Sequence, residues 1–83
     1  MKTDYQFISD LFNNAEQTVM NVNKLPIKAY KVRVNGNTVS IESIWESKLG
    51  CLYGTNDVRT IAPSNKQLNR LQSFGFESFV YED

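Results

Sequence analysis

The stretch Val32-Arg33-Val34-Asn35-Gly36-Asn37-Thr38-Val39-Ser40-Ile41 alternates apolar and polar residues on both sides of an Asn-Gly-Asn centre. A period of two is the mark of a half-buried strand, and Asn-Gly supplies the positive-φ positions of a two-residue turn. The segment is therefore read as a β-hairpin. A type I′ turn at Asn35-Gly36 sets Val32 opposite Val39 and Tyr30 opposite Ile41, whereas a turn at Gly36-Asn37 sets Val34 opposite Val39. Both registers keep Tyr30, the valines and Ile41 on one face, with Lys31, Arg33, Thr38, Ser40 and Glu42 on the other. The first face reads as core. The use of the second is the question the rest of the chain must answer.

Upstream, Thr3-Asp4-Tyr5-Gln6 has the form of a capping box, and Tyr5, Ile8, Phe12, Ala15 and Val19 recur at helical spacing. A helix is expected over about residues 4 to 21, ended by Asn21, Asn23 and Pro26. Downstream of Ile41 the alternation breaks, since Ile44 and Trp45 are adjacent, and a bulge near Ser43 is the simplest cause. Two short strands follow, one at Cys51-Leu52-Tyr53 and one over Val58 to Ala62, with Gly54-Thr55-Asn56-Asp57 read as a turn between them. Ser64-Asn65-Lys66-Gln67 is a second capping box, opening a helix over about 65 to 74. Gly75 stands at its left-handed C-terminal position, with Phe76 expected to fold back on Leu71. The closing Phe76-Glu77-Ser78-Phe79-Val80-Tyr81-Glu82 reads as a last strand beside an earlier one. Period two allows Phe79 and Tyr81, or Phe76 and Val80, to face the core, but not both pairs.

The expected architecture is α+β: an antiparallel sheet of four to five strands with both helices on one face, in the order α-β-β-(β)-β-α-β. Residues 1–83 make one domain, because a chain of 83 residues buries only about 60–65% of its unfolded surface and cannot support a second core. Lys plus Arg number 9 and Asp plus Glu number 9, so no net charge draws the chain to nucleic acid or an anionic membrane. The single cysteine, Cys51, leaves no internal disulfide and fits a reducing cytoplasm. The start of the chain lacks a signal peptide's apolar run, and no segment reaches the roughly 18 apolar residues of a membrane span. Asparagine is abundant and histidine absent, a bias expected of an AT-rich genome such as a phage or mobile element carries.

Without histidine, serine–histidine and cysteine–histidine catalysis are impossible, and the carboxylates fall in separate segments with no shared spacing. Cys51 between Gly50 and Leu52 reads as a small buried hydrophobe. No phosphate loop, calcium loop or zinc signature occurs, so neither a cofactor nor a metal is implied and no catalytic residue is assigned. A nucleic-acid module on the 27–43 hairpin would use Lys28, Lys31 and Arg33, joined by Arg59 from a neighbouring strand. Glu42, facing Ala29 or Lys31, would cancel part of that field. The order of elements resembles that of double-stranded-RNA-binding domains, although Ile61 to Gln67 stands where those domains carry a basic loop. What remains is a non-enzymatic protein-binding module, read as a phage- or mobile-element-encoded inhibitor covering a surface of a larger host or defence protein. Its anchors would be Arg33, Trp45, Tyr53, Arg59 and Tyr81, residue types in which binding energy concentrates. Self-association through the last strand is a further alternative.

Overall fold

A computed structural model describes residues 2–15, 26–46 and 53–82. The elements run α1 (Asp4–Asn14), β1 (Ile27–Asn35), β2 (Thr38–Glu46), β3 (Tyr53–Ile61), α2 (Asn65–Gln72) and β4 (Glu77–Tyr81). The four strands form one sheet in the order β3-β2-β1-β4, every neighbour antiparallel. The expected α+β class and element order are what the chain adopts.

The hairpin takes the second of the two registers, with Asn35 opposite Thr38, Val34 opposite Val39 and Val32 opposite Ile41. Gly36 has φ +62 and no other residue of the turn has positive φ. That places glycine at the first central position, the type II′ arrangement, rather than at the second position of a type I′ turn. Because both turns preserve parity, the face assignment is unaffected.

Both capping boxes form. The Thr3 and Ser64 hydroxyls accept the amides of Gln6 (3.2 Å) and Gln67 (3.3 Å), and each glutamine side chain accepts the cap amide in return. Satisfying these donors fixes where each helix starts. Apolar spacing then turns Ile8 and Phe12 of α1, and Leu71 of α2, into one cluster with Tyr30, Val32, Val34, Val39, Ile41 and Val80. Tyr30 is its pivot. Its ring lies 5.3 Å from both Tyr5 and Phe12, and its hydroxyl donates to Ser9 Oγ at 3.2 Å. Arg70 of α2 reaches α1, stacking 4.3 Å over Phe7 and donating to Asp4 (3.0 Å) and to the Lys2 carbonyl (3.1 Å). The two helices thus lie together on the Tyr30 side of the sheet.

Three expectations are corrected. Helix α1 stops at Asn14 instead of running to residue 21: Ala15 is extended (φ −74, ψ 147), and the last carbonyls are taken by Arg59. Residues 16–25 lie outside the described residues. Gly54-Thr55-Asn56-Asp57 is not a turn but part of a continuous β3, the pairing jumping from Ser43↔Asp57 to Ile44↔Thr55 so that Asn56 bulges. The break expected near Ser43 is therefore absorbed on the partner strand, and a second irregularity sits between Ile27 and Ala29. Cys51 and Leu52 fall outside the described residues. Finally, Phe76 does not fold back on Leu71. After Gln72 the chain tightens into three-residue turns (Phe74 to Leu71, 3.0 Å; Gly75 to Gln72, 3.2 Å), and Phe74 packs on the core while Phe76 is exposed.

Candidate functional site

Strand alternation and pairing assign the central strand residues to a face. On the helix side lie the rows Val80-Tyr30-Ser43-Asp57 and Ser78-Val32-Ile41-Arg59, followed by Val34-Val39-Ile61. On the other side lie Tyr81-Ala29-Ile44-Thr55, Phe79-Lys31-Glu42-Val58 and Glu77-Arg33-Ser40-Thr60. Among the described residues no element covers this second face. Its first row is largely apolar, its second sets Phe79 and Val58 at the ends of the charged pair Lys31 and Glu42, and its third is polar.

Among the described residues the exposed large apolar ones are Val58 (46%), Phe79 (50%), Tyr81 (61%) and Phe76 (67%). Three of these four stand on the uncovered face, and Phe76 immediately precedes β4, so the exposure is concentrated rather than scattered. Phe79 and Tyr81 stack with centroids 6.3 Å apart and planes 23° from parallel. With Ala29 and Ile44 they line a shallow apolar hollow. The small side chain of Ala29 creates it, standing between Tyr81 on one neighbouring strand and Ile44 on the other.

Charges on this face are internally matched. Glu77 accepts Arg33 Nε at 3.0 Å and lies 3.6 Å from Lys31 Nζ, which also sits 5.7 Å from the Phe79 ring centre. Glu42, opposite Lys31, accepts the Thr55 hydroxyl at 3.1 Å. Two cations and two anions therefore share the surface, leaving no local excess for a polyanion.

Of the residues singled out from sequence, Arg33 and Tyr81 share this face, on adjacent strands but at opposite ends of the β1–β4 pairing. Arg59 does not join them. It points to the helix side with its side chain 13% exposed, stacks 4.2 Å from Phe12, donates Nε to Asp57 at 3.0 Å, and donates Nη1 to the carbonyls of Phe12 and Ala15. It caps the C-terminus of α1, where a cation also suits the helix dipole. Trp45 is half-buried opposite Ile27 and Gly54. Its indole occupies the space a Cβ at position 54 would need, with contacts of 2.6 Å, so the glycine is what lets it lie there. Tyr53 opens β3 opposite Glu46; its side chain lies outside the described residues.

Sequence reasoning left the side of Phe79 undecided and did not assign Val58 to the surface. The signal was present in the parity of β3: Ile61 must face the core, so Arg59 follows it inward and Val58 is left outside. No helix among the described residues is long and apolar enough to cross a membrane. No protein-family model, curated protein or solved structure matches this chain.

Proposed function

We propose that this chain is a non-enzymatic protein-binding module that works by laying the uncovered face of its sheet on a larger protein. The observation that carries this reading is the stacked Phe79–Tyr81 pair, held out in water beside Ala29, Ile44 and Val58. Burial of apolar surface yields about 25 cal/mol per Å², so leaving two rings half in solvent forgoes on the order of 1–2 kcal/mol each. A partner recovers that energy. Arg33 and Glu77 at the polar end supply orientation, and Tyr81 and Phe79 supply the anchors, the distribution that binding surfaces use.

The abundance of asparagine and the small, charge-neutral chain suit an inhibitor encoded by a phage or mobile element and acting in the cytoplasm on a host or defence protein. Nucleic acid is the weaker partner. The rings could stack on bases, but Lys31 and Arg33 both spend their charge on Glu77, and Arg59 serves α1.

Affinity capture from the native cell tests the reading. Wild-type protein is expected to retain one protein in stoichiometric amount, unaffected by nuclease, while an Arg33→Glu/Tyr81→Ala variant loses it. Recovery of the same proteins by both overturns the surface assignment, and capture abolished by nuclease and by modest added salt points to nucleic acid instead.

A further inference from the structure

The two edges of the sheet are built differently. Edge strand β3 carries the devices that deter pairing with another chain: a bulge at Asn56, the inward-pointing charges Asp57 and Arg59, and Gly54. Edge strand β4, though short and carrying Glu77, has neither a bulge nor an inward-pointing charge. Its five residues pair with β1 without a break, from Arg33↔Glu77 to Ala29↔Tyr81, and they include no proline, lysine or arginine.

The direction of the free backbone groups on β4 is fixed by its bonds to β1. Val34 N donates to the Phe76 carbonyl (2.9 Å) and Glu82 N donates to the Lys28 carbonyl (3.0 Å). In an antiparallel ladder a residue's N–H and C=O point the same way and alternate along the strand. The even-numbered residues therefore face β1, and Glu77, Phe79 and Tyr81 present their amides and carbonyls outward. Among the described residues no strand lies beyond them.

We propose that this edge pairs with the β4 edge of a second copy of the chain, antiparallel about a two-fold axis at Phe79. In that register Phe79 meets its own counterpart and Glu77 meets Tyr81 in both directions, so all three outward residues of each copy are paired. Charge selects this arrangement. A parallel pairing would set Glu77 against Glu77, whereas the antiparallel one sends the acidic residues to opposite ends, each Glu77 still neutralised by its own Arg33 at 3.0 Å. It also gathers four rings, Phe79 and Tyr81 from each copy, into one cluster on the open side.

A five-residue edge with two aromatics buries less than the roughly 800 Å² per partner of a standard interface, so the dimer exchanges with monomer as concentration changes. The product is one eight-stranded sheet whose two uncovered faces are continuous. Only this last consequence, a doubled partner surface, rests on the proposed function; the pairing itself stands on the edge.

Sedimentation over a wide concentration series tests it without reference to any other partner. The wild-type mass is expected to climb from 9.5 kDa toward twice that value. Phe79→Lys and Phe79→Glu, each placing like charges across the axis, are expected to remain monomeric with unchanged circular dichroism, and an equimolar mixture of the two is expected to dimerise. A wild-type mass that stays monomeric at the highest concentration overturns the proposal. So does a dimer that Phe79→Lys leaves intact, or a mixture of the two variants that fails to associate.

Discussion

Arg59 shows how much one side chain can decide in a sheet this small. Its guanidinium ties together three groups from two elements: the Phe12 and Ala15 carbonyls at the end of α1, the Asp57 carboxylate, and the face of Phe12. Removing one partner of a buried ion pair leaves the other charged and unsolvated, at a cost of about 3–5 kcal/mol. Arg59→Ala is therefore expected to lower stability by about that amount in urea unfolding. Arg59→Lys should restore only part, since a single ammonium cannot reproduce the planar fork. Gly54 is a second such position. A methyl group there collides with the Trp45 indole, so Gly54→Ala is expected to cost about 1–3 kcal/mol. Because the collision is with that ring, the loss should shrink in the Trp45→Ala background, and a double-mutant cycle measures the coupling.

The secondary-structure elements were legible to different depths, for identifiable reasons. Helix starts were read correctly because a capping box is local chemistry: Thr3 with Gln6, and Ser64 with Gln67, need no knowledge of the rest of the chain. Accordingly Ser64→Ala is expected to cost about 1 kcal/mol in chemical denaturation. The end of α1 was not legible, because the apolar period continues through Val19 while the residue that terminates the helix, Arg59, lies 44 positions beyond Ala15 in sequence. Strand faces were legible from parity, which turn placement cannot change. Turn placement itself was ambiguous, since Asn35-Gly36 and Gly36-Asn37 serve equally until the sign of φ at Asn35 is known. Gly36→Ala, which forces a side chain to φ +62, is expected to lower stability by about 1 kcal/mol, with Asn35→Ala nearly neutral. In β3 a bulge let a turn-like sequence continue as strand, a tertiary outcome imposed by pairing with β2.

At the scale of the molecule, two helices suffice to roof one side of four strands, and the chain has placed an arginine and an aspartate beneath that roof while leaving a valine, a phenylalanine and a tyrosine on the far side. Part of the candidate site was readable from sequence. Arg33 follows from the parity of the hairpin, whereas Phe79 and Tyr81, left open against Phe76 and Val80, were placed together by the pairing of Val80 with Tyr30, and Val58 by the pairing of β3 with β2. An outward apolar row adds little to folding, so Phe79→Ala and Tyr81→Ala should each change stability by less than about 1 kcal/mol while Val32→Ala or Ile41→Ala costs about 2–5 kcal/mol. The most direct measurement is paramagnetic line broadening of side-chain resonances by a soluble gadolinium chelate, recorded on dilute protein. Strong broadening of Val58, Phe79 and Tyr81 alongside protection of Ile8, Val32 and Ile41 is the predicted result. Protection of all six to a similar degree would contradict the account, because it would mean that both sides of the sheet are covered.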